Sequence, residues 1–223
     1  SSSRLPGKVL LPFPQLPIIH FLANRFKENN IHFIVATSNT EFDIPLVNYL
    51  KNNNIPYVCG SLQNLYQRYC SISNLNSYEY FARITADNPL TAIELLKPSF
   101  EIASAKHLNF LQIEGLPIGM GFEIYKSSCF LESSYLYNTD YSQEHINDPF
   151  IRGAIRDSAT LTLAGLCNTN FCKSLTIDTI EQYIHVSQYF AEFGNSIQSF
   201  LENLFNRKVI DMLTLDSLPK KYH

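Results

Sequence analysis

Two hydrophobic periods alternate along the chain. Ile18, Ile19, Leu22 and Phe26 recur at helical spacing and predict a helix over 17–27, with Pro17 allowed in its first turn. The apolar run 31–37 (IHFIVAT) predicts a buried strand. Asp43 can cap a helix to about residue 53, with Leu46, Val47 and Leu50 on one face. Residues 56–59 form a short strand ending at Gly60, and Leu62, Leu65, Tyr69 and Ile72 mark the next helix. Further strands are predicted over 80–84, 109–112, 122–125 and 175–177, and helices over 89–104 and 196–205. Thr179 with Gln182 three residues on is a capping box for a helix to Phe193. Glycines punctuate the loop 115–121. Short apolar runs alternating with helical patterns predict an α/β fold with a mostly parallel sheet.

The chain has 223 residues, 45% of them hydrophobic, which suits one domain with a full core. It shows no internal repeat. A net charge of -3 excludes a non-specific nucleic-acid binder, which needs clustered Lys and Arg to release counterions. No apolar run is long enough to span a bilayer and no signal peptide is visible, so no membrane partner is expected. Cys59, Cys70, Cys129, Cys167 and Cys172 share no repeating spacing, against a disulfide scaffold and against a zinc site. A reduced, cytoplasmic protein is the expectation. Interleaved aromatics such as Tyr78, Tyr80 and Phe81 are read as core and rim.

Two runs carry candidate chemistry. Ser1 to Lys8 is a small-residue turn with two cations, Arg4 and Lys8, suited to a polyphosphate. It is not a Walker A loop, because Val9 stands where Ser or Thr belongs. The alternative is a free amino terminus with solvated cations. Arg83 to Leu90 is an apolar strand end that delivers Asp87 just before Pro89, a position suited to Mg²⁺. Asp178 also follows a predicted strand, which puts both carboxylates on the sheet rim where α/β ligands bind. The alternative for each is a helix N-cap. His145, beside Glu144, is a base, a phosphate contact or a surface residue. No Gly-x-Ser-x-Gly elbow supports a hydrolase.

In content and order these segments resemble the cytidylyltransferase family, in its SpsF-like (spore coat polysaccharide) branch. That branch is related to the acylneuraminate and 3-deoxy-manno-octulosonate cytidylyltransferases. Ser2 or Ser3 through Lys8 is similar to its nucleotide loop, and Val35 to Ser38 to its second strand. Gly60 with Leu65, Arg68 and Tyr69 matches a further segment, and Arg83-x-Thr85-Ala86-Asp87-x-Pro89-Leu90 matches its metal-binding signature. Gly119, Glu123, Glu144, His145 and the run Leu175 to Glu181 complete the order.

The resemblance implies a three-layer, Rossmann-like nucleotide-diphosphosugar transferase fold and CMP transfer from CTP to an acidic sugar or sugar-like acceptor. It implies Arg4, Lys8, Asp87 and Asp178 as catalytic, with both aspartates holding Mg²⁺ or Mn²⁺. Ser2, Ser3, Gly7, Arg68, Arg83, Thr85 and Ala86 would bind nucleotide, and Gly119, Glu123, Glu144 and His145 would face the acceptor. A homodimer paired through about 118–150 is also implied. Departures fall mostly on the acceptor side: Gly121 and Asn64 where acidic residues are common, and Gln143 and Asn147 where Arg and Thr are usual. The family has a strand ending in Gln-Ala-Arg ahead of its loop, so a central strand preceding Ser1 is expected. The alternatives keep the fold with another NTP or an alcohol-phosphate acceptor, or make the chain a non-catalytic nucleotide binder.

Overall fold

A computed structural model describes residues 4–163, 174–192 and 213–217. In chain order the elements are α1 (Ile18–Glu28), β1 (Val35–Ser38), α2 (Ile44–Asn52), β2 (Tyr57–Gly60), α3 (Leu65–Cys70), β3 (Tyr80–Arg83), α4 (Leu96–Ala105), β4 (Phe110–Glu114) and β5 (Glu123–Lys126). Then come α5 (Ser127–Glu132), α6 (Asp140–Glu144), α7 (Asp148–Ile151), β6 (Ser158–Leu163), helix α8 over 180–192 and β7 (Leu213–Ser217).

The strands form a parallel pair, β1–β2, and a five-stranded sheet in the order β3-β5-β4-β6-β7. β4 and β6 are parallel, and β5 runs antiparallel to both β3 and β4, so β3, β4 and β6 share one direction. The reversal at β5 lets a short glycine-containing loop join it to β4, which a parallel neighbour would not allow. β1 and β3 each have a single hydrogen-bonded neighbour among the described strands.

Alternation along the central strands divides the interior into two layers. Leu111, Ile113 and Ile124 point into one core with Leu96 and Ala103 of α4, Leu22 of α1, and Phe13. Phe110 and Tyr125 point into the other, an aromatic core with Tyr66, Phe130, Tyr137 and Phe150. A third cluster, Ile19, Ala23, Leu50 and Ile55, joins α1 and α2 to β1. The three-layer α/β expectation holds.

Several elements depart from the sequence reading for local reasons. The strand expected over 31–37 is regular only from Val35. The helix expected from Pro89 begins with a 3₁₀ turn at Ile93 and becomes α-helical at Leu96, because the backbone of Ala92 bonds to Met120 instead. Residues 175–177 join no sheet among the described residues: Leu175 and Ile177 donate to the carbonyls of Ile118 and Asp87. β6, α5, α6 and α7 were not anticipated. The alternation Ala159-Leu161-Leu163 was a readable signal for β6, as was Thr139 before Ser142 for the capping box on α6. The helix expected over 196–205 lies outside the described residues.

Candidate active site

The site begins with a turn. Gly7 takes φ +69°, the left-handed conformation that glycine adopts freely, and opens a 3₁₀ turn over Lys8–Leu10. This turn carries Lys8 inward until its side chain is only 11% exposed. Its Nζ donates to Asp87 Oδ2 at 2.7 Å and to Asp178 Oδ1 at 2.9 Å. Arg4, largely exposed, reaches Asp178 Oδ2 at 3.0 Å. Two cations and two carboxylates from three distant segments thus converge on one point.

Each carboxylate is held by its own supports. Asp87 sits in a turn closed by the Asn88 amide donating to Thr85 O, and by Asn88 Nδ2 donating to Thr85 Oγ1 at 2.8 Å. Behind that turn, Arg25 of α1 donates to the carbonyls of Pro89 and Thr91 and pairs with Glu94 at 2.7 Å. Asp178 is brought alongside by the Ile177 amide bonded to Asp87 O. The loop 115–121 presses on this segment. Gly119 has φ +94°, and a Cβ there would lie 2.7 Å from the Leu175 carbonyl carbon. Gln182 Oε1 accepts from the amides of both Asp178 and Thr179, and the Gln182 amide donates to Thr179 Oγ1 in return. Neither aspartate side chain caps a helix; both turn to Lys8. The Lys8 hydrogen bond, with the charges of Lys8 and Arg4, holds the Asp178 carboxyl below its ordinary range.

A second charged network lies at the β3–β5 pair. Glu123 accepts from Arg83 at 3.0 Å and Tyr125 at 2.7 Å on Oε2, and from Asn147 at 2.6 Å on Oε1. Burial opposes the charge on Arg83, but Glu123 more than offsets it, and the guanidinium is held above its ordinary value. At the ends of β1 and β2 lies a cavity of about 580 Å³, lined by Asn39, Thr40, Ser61, Gln63, Gln67 and Ser71 among others. Arg68 braces its wall by donating to the carbonyls of Ser61 and Leu62.

Comparison with known proteins identifies the family. The family model described as cytidylyltransferase matches residues 1–204. The chain belongs to the cytidylyltransferase family. An uncharacterised protein of Methanocaldococcus jannaschii is 24% identical over 99% of this chain and 93% of its own length. The spore coat polysaccharide biosynthesis protein SpsF of Bacillus subtilis is 24% identical over 65% of this chain and 63% of its own length. Among solved structures, a cytidylyltransferase from Leptospira borgpetersenii serovar Hardjo-bovis superposes with a TM-score of 0.75 at 23% identity, covering 100% of this chain and 94% of that one. The CMP:2-keto-3-deoxy-manno-octonic acid synthetase complexed with CTP gives 0.63 at 14% identity, over 86% of this chain and 95% of that one. Both structures show the shared fold.

In this cytidylyltransferase the remaining sequence-predicted residues have distinct placements. Ser2 and Ser3 lie outside the described residues. Thr85 and Ala86 form the Asp87 turn, and Gly119 shapes the Asp178 segment. Glu144 and His145 are exposed at the end of α6, where the His145 ring packs against Tyr141 with centroids 4.4 Å apart. Among the described residues, no hydrogen bond or ion pair links Glu144 or His145 to the Lys8 cluster. Sequence reasoning missed Arg25, Glu94 and the polar cavity. An arginine on the helical stripe next to Phe26 was the only available signal for the brace.

Proposed function

We propose that this cytidylyltransferase transfers CMP from CTP to an acidic sugar or sugar-like acceptor, releasing pyrophosphate, for surface polysaccharide or glycan biosynthesis. The observation that carries the reading is the convergence of Asp87, past the carboxyl end of β3, and Asp178 on one cationic group, Lys8 Nζ.

The donor set suits Mg²⁺ or Mn²⁺. Hard oxygen ligands from two carboxylates already surround a positive charge. Among the described residues no group of three or more His, Cys, Asp or Glu comes together as a metal cage. Mg²⁺ is usually held by one or two carboxylates together with substrate phosphates. Asp87 and Asp178 would hold the ion, which when bound offsets the charge that develops on the phosphates.

The chain's own residues then have separable tasks. Arg4 and Lys8 neutralise the triphosphate. The Arg25 brace and the Gly119 contact fix the two carboxylates before substrate arrives, which favours charge stabilisation without reorganisation. An acceptor oxygen attacks the α-phosphorus, and the bond to pyrophosphate breaks in line. The uncharged lining of the cavity beside Arg68 suits the base or sugar part of a substrate. The test is pyrophosphate release from CTP across a panel of acidic sugars, with UTP and ATP as competitors. Release with at least one acidic sugar and CTP is expected. No release with any of them would remove the reading.

A further inference from the structure

We infer that Lys8 is an internal counter-cation, holding the place of a divalent ion between Asp87 and Asp178 until a polyphosphate draws it away. This inference rests on the proposed function and adds an order to its binding steps. A nucleotide-loop lysine that only waited for phosphate would extend into solvent. Lys8 is instead folded inward, 11% exposed, and donates to one oxygen from each carboxylate at 2.7 and 2.9 Å. An ammonium offers three donors and no acceptor, so it satisfies carboxylates but cannot coordinate a metal. A divalent ion bridging the two carboxylates needs the space between them that the Lys8 ammonium fills, and its charge repels the ammonium. The two occupants are therefore mutually exclusive.

The nucleotide resolves the competition. Its phosphates give Lys8 new acceptors of greater charge, and the vacated carboxylates then receive the cation. Arg4 is placed to start the exchange. It touches the far oxygen of Asp178, is 65% exposed, and meets an incoming phosphate before the buried lysine does. Nucleotide and divalent cation then bind with positive coupling, and the coupling is reciprocal. The free protein discriminates against a bare metal ion because its binding-competent state is sparsely populated, which lowers apparent affinity in proportion.

The test uses the full chain and Mn²⁺ without nucleotide, with free ion read by electron paramagnetic resonance. Lys8→Met keeps the side-chain volume and removes the charge. It is expected to bind Mn²⁺ about tenfold or more tighter than the parent. Adding Asp178→Asn to Lys8→Met should cancel that gain. Lys8→Gln serves in the same role where the Met variant does not fold. Equal Mn²⁺ affinity in parent and variant would overturn the inference, as would a gain that survives Asp178→Asn. Calorimetric titration of the parent with CTP and Mg²⁺ separates the two claims. If the parent binds CTP but the variants show no gain, the counter-cation role alone fails. If the parent binds no CTP, the proposed function fails and this inference with it.

Discussion

Lys8 and its two aspartates set the expectations at the scale of single residues. Asp87→Asn and Asp178→Asn each keep the volume and leave Lys8 with one carboxylate. The fold should therefore survive, with melting temperatures within a few degrees of the parent. Turnover should fall on the order of a hundredfold or more, because an amide is a poor ligand for a hard cation. Pyrophosphate release measured beside thermal melts separates the effects. Gly119→Ala should act through shape. The methyl would meet the Leu175 backbone at 2.7 Å in a left-handed conformation, so a loss of about 1–3 kcal/mol is expected from urea unfolding. Rates should drop as well, since the displaced segment carries Asp178. Departures from the family pattern also resolve here. Asn64 caps α3 by accepting from the Gln67 amide, Asn147 holds Glu123, and Gln143 donates to the Tyr137 carbonyl.

Among elements, the grip of α1 on the segment after Asp87 has the largest predicted energetic weight. Arg25 and Glu94 are 13% and 16% exposed, and one Glu94 oxygen already lacks a partner. Arg25→Met would strand that carboxylate and release two carbonyls, at a cost of about 3–5 kcal/mol. Denaturant midpoints would reveal it, and a loss under 1 kcal/mol would show that the brace is unimportant. Asp43 shows how position and side chain can part company. It stands at the N-cap of α2 as expected, but its carboxylate makes no capping bond and accepts instead from Thr37 and from the hydroxyl and amide of Ser38 at the end of β1. Burial opposes its charge, but these hydrogen bonds outweigh it and hold its pKa below the usual value. Its contribution is thus complete above the unfolded value of about 3.9 and is lost as pH falls through the lower folded one. Stability should fall below about pH 4, and Asp43→Asn should flatten that limb in urea titrations at pH 3–7. Periodicity made α1, α2 and the central strands legible because their apolar faces repeat. The short helices between Ser127 and Ile151 were not, because their order comes from packing aromatics around Phe130. Asp87 and Asp178 could be named from motif alone, whereas their supports are contacts between segments and leave no local trace.

For the whole molecule, the aromatic wealth of 122–150 turns inward. Tyr125, Phe130, Tyr137 and Phe150 are all at or below 5% exposure and build the second core. Only Tyr135 and Tyr141, 72% and 62% exposed, remain as large aromatic surface in that stretch. Pairing of two copies through this region, as the family resemblance implies, would bury those two side chains. Light scattering at micromolar concentration is expected to give a dimer, and Tyr135→Ser with Tyr141→Ser a monomer. A monomer for the parent chain would discard pairing. No helix among the described residues is long and apolar enough to cross a membrane.

The separation between Lys8 and its partners also has a consequence in time. Asp87 follows Lys8 by 79 residues and Asp178 by 170. At a synthesis rate of roughly 5–20 residues per second, the second partner is made about 10–30 s after the lysine. For the first 79 residues of that interval the nascent chain carries an ammonium destined for burial with neither carboxylate made, and from Asp87 to Asp178 with one of the two. The Lys8 turn therefore lacks its full set of partners until Asp178 has been made. Pulse-labelled ribosome-bound chains that stop short of Asp178 should leave Lys8 open to amine-reactive labels.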